Sequence, residues 1–324
     1  MKGVEGIEAV LTDEEVIRRF RKRHNLLVIL GPTATGKTGF AVGLARGIGG
    51  EIISADSRQV YRGMDLGTGK DLNEYSRGGA NVPCHLIDIF DPTEECSVFT
   101  YQKLFYRCFK EIIMRGKIPL MVGGTGLYLD AVIRGYRLPA VPEDQALRLA
   151  LEGEGMASLR RRLLSLCPEV HNTTDLRERK RLIRAIEIAE FTRHYSEDDG
   201  PRIPISPLVV GIRCERETLR RRITDRLKAR LAAGMIEEVR SLQEKGLDWE
   251  RIDSFGLEYR YIGLYLRGQM TREEMVTILN TRIHQFAKRQ VTWFRRMEKN
   301  GVRIHWIENA DTGKAISLIA HLTA

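Results

Sequence analysis

The sequence predicts an α/β fold in which a parallel sheet is flanked by helices and interrupted by a helical insertion. Three observations carry this. Short apolar runs rich in β-branched residues alternate with longer amphipathic runs, the pattern of strands joined by crossover helices. The stretch GPTATGKT, Gly31–Thr38, lies between an apolar run and a helical pattern. The spacing between PLMVGG and PLVVGI is too long for one crossover helix and contains helical patterns such as LRERKRLIRAIEIAEF.

Taken in chain order, residues 1–22 read as an amphipathic N-terminal extension. NLLVIL is the first strand, and a helix starts near Gly36. EIISA, HLIDIF and PLMVGG follow as strands. Residues 141–204 form the helical insertion, and the turn formers and acids of YSEDDGPRIPIS, Tyr195–Ser206, return the chain to the sheet. PLVVGI is the next strand, and VRIHWI the last. Between them the chain is helical; Thr271 and Glu274 make a capping box for a helix running to about Arg296. The core is thus 23–140 with 205–324.

The chain has 324 residues, 43% of them hydrophobic, enough for a substantial core. No run of about 18 apolar residues appears, and the start has no basic-then-apolar signal pattern, so a soluble cytoplasmic protein is expected. The five cysteines form no CxxC pair, which argues against a zinc site and for reduced thiols. The net charge is +9, and residues 201–300 hold 21 Lys and Arg against 13 Asp and Glu. A polyanionic partner is consistent with that excess.

GPTATGKT fits the phosphate-binding pattern GxxxxGK[ST]. The backbone of Gly31, Pro32, Thr33, Ala34, Thr35 and Gly36 would cradle a diphosphate, Lys37 would add positive charge, and the Thr38 hydroxyl would hold Mg²⁺. Kinases, ATP-binding and other nucleotide-binding enzymes, and other transferases share such a P-loop, so the loop alone names no reaction. Asp56 falls at the carboxyl end of the second strand, where ligands gather in open α/β sheets. It could hold metal-bound water, accept a proton, or cap a turn with Ser57. The fourth strand ends VGGTGLY, whose glycines and Thr125 allow close approach to a ligand.

Together GPTATGKT, SADSRQVYRGMDLGTGK, HLIDI, VGGTGLY and AKRQVTWFRR resemble the tRNA dimethylallyltransferase (tRNA isopentenyltransferase) family, in order and spacing, over roughly residues 25–307. The resemblance implies a P-loop, kinase-like core that holds the pyrophosphate of dimethylallyl diphosphate. It implies attack on the allylic carbon by the N6 amine of adenosine 37, beside the tRNA anticodon. Asp56 then matches the general base, with Thr125 by the reacting amine, Thr33 opposite it, and Arg148 at the entrance of the reaction channel. Arg222 and Arg226, one turn apart on a helix, match diphosphate ligands. Asp56, Ser57, Arg58 and Gln59 match contacts to the flipped adenosine and its neighbours, and Arg181 and Arg184 match arginines at the anticodon stem-loop. Lys288, Arg289, Gln290, Trp293 and Arg296 match RNA contacts on the long helix, where an amphipathic pattern alone would make Phe286 and Trp293 core residues. A monomer using Mg²⁺ is expected.

The chain departs from the family pattern in places. Cys84-His85 replaces a pair of histidines, Asp71 replaces the proline after the GTxK lysine, and SFGLEYRY, Ser254–Tyr261, replaces a glycine-tyrosine turn. NTTDLRERKRLIRA also differs ahead of its arginines. Rival readings are an adenylate isopentenyltransferase acting on AMP, a P-loop small-molecule kinase, and a non-catalytic RNA-binding protein. The insertion and KRQVTWFRR favour an RNA acceptor over AMP, VGGTGLY is unexplained by a kinase, and Lys37, Thr38, Asp56 and Thr125 speak against a vestigial loop.

Overall fold

The computed structural model of the chain describes residues 14–76, 81–168, 176–194 and 203–323. It divides into two compact units, Met1–Tyr136 with Ile203–Ala324, and Arg137–Arg202. The second unit therefore begins before residue 141 and ends before 204.

A six-stranded parallel sheet organises the first unit. Its strands are β1 Leu26–Leu30, β2 Gly50–Ala55, β3 Cys84–His85, β4 Ile118–Gly123, β5 Pro207–Arg213 and β6 Ile304–Glu308, in spatial order β3-β2-β4-β1-β5-β6. All residues of β1, β2 and β4 are buried, which is why these segments read as continuous apolar runs instead of alternating ones. HLIDIF was expected to be a full strand, but only Cys84 and His85 pair, with Ile52 and Ile53. Leu86 and Asp88 adopt left-handed φ values of 63° and 55°, ending the ladder and turning the Asp88 carboxylate onto Lys70.

Both sheet faces are covered. On one lie α1 Glu14–Arg23, α2 Lys37–Ile48 and the last helix, α14 Thr312–Thr323, preceded in the chain by α13 below. Phe20 of α1 is buried in that layer with Ile319 of α14, so α1 belongs to the core; residues 1–13 of the expected extension lie outside the described residues. On the other face lie α4 Val98–Met114, α5 Gly126–Ile133 and the C-terminal part of α13, Arg272–Lys299. The remaining short helix, α3, is Asn73–Ser76. Four more helices, α9 Arg216–Ala232, α10 Met235–Glu244, α11 Trp249–Ser254 and α12 Leu257–Leu266, pack with the first half of α13 over Val60, Tyr61 and Met64. The capping box of α13 forms: Glu274 N–H donates to the Thr271 hydroxyl at 3.2 Å, and Thr271 N–H donates to the Glu274 carboxylate at 2.8 Å.

The second unit contains α6 Gln145–Glu152, α7 Met156–Leu166 and α8 Arg179–His194 around Leu151, Leu159, Leu163, Leu182 and Ile186. Most of the YSEDDGPRIPIS loop, 195–202, lies outside the described residues.

Candidate active site

The sheet brings three loops to one edge. Leu30 and Ala55 both pair with Gly123, so Gly31, Asp56 and Gly124 emerge at one level from neighbouring strands. Close packing there demands glycine: a Cβ on Gly31 would stand 2.5 Å from the Ile212 carbonyl oxygen, and one on Gly124 would overlap the Gln290 amide.

The cradle is formed. Ala34 and Gly36 take φ values of 64° and 83°, curling the loop before α2 begins at Lys37. The buried Thr35 hydroxyl donates to the Pro32 carbonyl at 2.9 Å, so Thr35 knits the loop internally. Lys37 Nζ donates to the same carbonyl at 2.8 Å. Burial, then the charge of Arg226, pushes the Lys37 ammonium down to about 8 against the opposing pull of Asp56. Thr38 follows on the first turn of α2.

Asp56 sits just past β2. Its Oδ1 accepts the Arg58 N–H at 2.9 Å in an Asx turn, and its Oδ2 has no hydrogen-bond partner among the described residues. The Ser57 N–H donates to the Thr125 hydroxyl at 3.0 Å, and the Thr125 N–H donates to the Ala55 carbonyl at 3.2 Å. Thr125 thus fixes the turn that carries Asp56. Gln59, expected at the RNA, is tied inward: its Oε1 accepts the Ser54 hydroxyl and its Nε2 donates to the Gly69 carbonyl, each at 3.2 Å. Arg58 is half-buried.

Gln290 differs most from expectation. It is 8% exposed; its Oε1 accepts the Thr33 N–H and its Nε2 donates to the Gly124 carbonyl, both at 2.9 Å. It clamps the cradle to the β4–α5 loop with one N–H of its amide and one lone pair of its carbonyl. Gln290→Leu keeps the volume but strands a donor and an acceptor, and should lower unfolding free energy by about 1–3 kcal/mol. The readout is the urea midpoint; an unchanged midpoint would contradict the clamp.

The arginine facing the cradle is Arg226, whose guanidinium donates to the Asp71 carboxylate and, at 3.4 Å, to the Gly69 carbonyl. Arg222 is exposed and takes no part in the cleft that Arg226 shares with Thr33 and Ala34. The 65–70 turn beneath is held from both sides. The Glu238 carboxylate accepts the N–H groups of Asp65, Leu66 and Gly67 and the Tyr259 hydroxyl, at 2.7–3.0 Å. Buried Lys70 donates to the Tyr61 carbonyl and to Asp65 and Asp88. No sequence signal ties Glu238 to a turn so far away in the chain; the pairing is purely tertiary.

On the outer face of α13, Lys288, Arg289 and Arg296 are exposed. Phe286, which an amphipathic pattern alone would place in the core, is 40% exposed with the Arg289 guanidinium 5.8 Å from its ring centre. Trp293 is half-buried against the sheet-side core, its indole filling the space where a Gly126 side chain would be, with Arg296 5.7 Å from its ring centre.

Within the second unit, Arg148 is bidentate to Glu187, at 2.7 and 3.0 Å, and pairs with Glu143 at 2.8 Å. Those carboxylates raise its already high basicity. Arg184 bonds Glu187 at 2.9 Å and the Val141 carbonyl at 2.7 Å. Both side chains therefore organise this unit around buried Glu187, whereas Arg181 is exposed beside Glu178. The expected roles of Arg148 at a channel and Arg184 at RNA would require these bonds to be shared or exchanged.

The chain is similar to known proteins over most of its length. Residues 59–297 match the IPP transferase family, and residues 24–81 match an isopentenyl transferase family. The tRNA dimethylallyltransferase 2 of Trichlorobacter lovleyi is 58% identical over 286 residues, 88% of this chain and 92% of its own length. The tRNA dimethylallyltransferase 1 of Syntrophus aciditrophicus is 56% identical, covering 89% of this chain and 94% of that protein. The crystal structure of the full-length tRNA isopentenylpyrophosphate transferase from Bacillus halodurans aligns with a TM-score of 0.66 at 35% identity, over 92% of this chain and 95% of that one. Agreement of this extent means that the chain belongs to the IPP transferase family.

Proposed function

We propose that the protein transfers a dimethylallyl group from dimethylallyl diphosphate to the N6 amine of adenosine 37 in tRNA, releasing pyrophosphate, as a cytoplasmic monomer. The observation that carries this is the meeting of cradle, Asp56 and Thr125 at the carboxyl ends of β1, β2 and β4. The new bond joins N6 to the allylic carbon while the carbon–oxygen bond to the diphosphate breaks. The electron pair leaves with pyrophosphate, and the amine's proton passes to the unpartnered oxygen of Asp56.

Lys37 and Arg226 lie beside the cradle, where negative charge gathers on the leaving group. The Thr38 hydroxyl has no protein partner among the described residues, which fits an ion shared with the donor. Thr38 would hold Mg²⁺, which would supply positive charge to offset the negative charge gathering on the leaving group. Thr125 holds the Asp56 turn in register for the amine.

An RNA acceptor is favoured by the exposed cations of α13 and by Phe286, which offers a face for stacking under Arg289. Adenosine 37 must leave the anticodon stack to reach Asp56, at a cost of a few kcal/mol. Ala at both Lys288 and Arg289 should reduce the slope of log affinity against log salt by about 1–2. Filter binding across a salt series reads this, and an unchanged slope removes both residues from the phosphate path.

The decisive assay supplies radiolabelled dimethylallyl diphosphate and Mg²⁺ with either tRNA or AMP. Label in tRNA supports the proposal. Label in AMP but not tRNA would sink it in favour of an adenylate prenyltransferase.

A further inference from the structure

Asp71 and Glu258 flank the same side chain, Arg230. Resting on the dimethylallyl diphosphate reading above, we propose that Arg230 is a second guanidinium for the donor's diphosphate, parked on Asp71 until the donor arrives.

Placement comes first. Arg226 and Arg230 are one turn apart on α9 and share a face. Both reach the 65–70 turn and the cleft that also holds Thr33, Ala34 and Glu258. Gly69 permits this approach, since a Cβ there would overlap the Arg230 guanidinium and come within 2.7 Å of Arg226. Its φ of 66° favours glycine independently. Asp71 then turns at a φ of 46°, which proline, locked near −65°, cannot adopt. Asp71 therefore sits on a turn that aims its carboxylate at α9.

The pairing is incomplete. Asp71 Oδ2 takes the Arg226 guanidinium in a short bond but stands 3.7 Å from Arg230 Nη2. That Nη2 is buried and has no hydrogen-bond partner. A guanidinium with a stranded buried donor is badly placed for a purely structural ion pair and well placed to receive another anion.

Charge balance agrees. Lys37, Arg226 and Arg230 face Asp56 and Asp71, while burial raises Glu258 toward its neutral form. Burial and Arg226 push Arg230 down to about 10, with Asp71 opposing. A diphosphate in the cradle would offer the arginines a more highly charged anion than Asp71 and release both from it.

The test combines titration of inorganic pyrophosphate, donor kinetics, tRNA binding and thermal unfolding. Arg230→Gln should weaken pyrophosphate about 10- to 100-fold, the loss of one charge-assisted hydrogen bond. It should raise the donor KM and leave tRNA affinity unchanged, and Arg230→Lys should recover part of the loss. Asp71→Asn should bind pyrophosphate more tightly, because the arginines no longer leave a counter-ion. That gain should vanish in the Asp71→Asn, Arg230→Gln double variant. Arg230→Gln that melts earlier yet binds pyrophosphate like wild type would make Arg230 structural and overturn the proposal, as would weaker binding by Asp71→Asn. If wild type neither transfers a prenyl group nor binds pyrophosphate, the donor reading falls and takes this inference with it. Transfer by wild type with an unaffected Arg230→Gln overturns this inference alone.

Discussion

Asp56→Asn is expected to bind tRNA with unchanged affinity while transferring the prenyl group about 10²- to 10⁴-fold more slowly. Asn keeps the size of the side chain and can still accept the Arg58 N–H through its carbonyl oxygen, so the turn survives. What it loses is the basic oxygen. Because Thr125 holds the turn through Ser57, the slower rate cannot be put down to a displaced loop if unfolding is unchanged. Single-turnover rates with enzyme in excess isolate the chemical step. A variant as fast as wild type would remove Asp56 from the role of base.

Donor use is expected to weaken as pH rises through about 8, because Lys37 loses its charge there. The cause is burial, reinforced by Arg226 and opposed by Asp56. A diphosphate selects the protonated ammonium, so the donor KM should climb by up to about tenfold per pH unit above that point. The sign for stability is opposite. Between the folded value near 8 and the ordinary lysine value the unfolded chain holds more protons, so raising pH through that window adds to this group's contribution to stability. Lys37→Arg should flatten the KM profile because a guanidinium does not titrate in this range, and Lys37→Ala should reduce kcat/KM by about 10²- to 10³-fold. A flat wild-type profile from pH 7 to 9.5 would contradict the assignment.

The parallel sheet was legible because its strands are buried on both faces and its cradle has a fixed spacing. Local pattern was enough for the Thr271 capping box and for α2 starting after Gly36. Pattern failed where tertiary bonds decide. HLIDIF has strand composition, yet buried Lys70 draws Asp88 out of the ladder. Phe286 and Trp293 are both aromatics on one helix, and packing against Gly126 half-buries Trp293 while Phe286 stays exposed. Gln290 lies within a basic stretch that reads as RNA-facing, but its helical position turns it inward to Thr33 and Gly124. Arg226 shares its cleft with Arg230, and Arg222 is exposed, because the turn at Gly69 lies opposite the later part of α9.

Helix α13 is 28 residues long, and such a rod spans about 42 Å. Its outer side carries the cations proposed to meet RNA, and its inner side carries the Gln290 clamp on the cradle. One splint therefore braces the handling of both substrates. Damage to its buried side will not sort cleanly into a donor defect or an RNA defect. Whatever one substrate does to the other's affinity through this splint, the second must do in equal measure to the first.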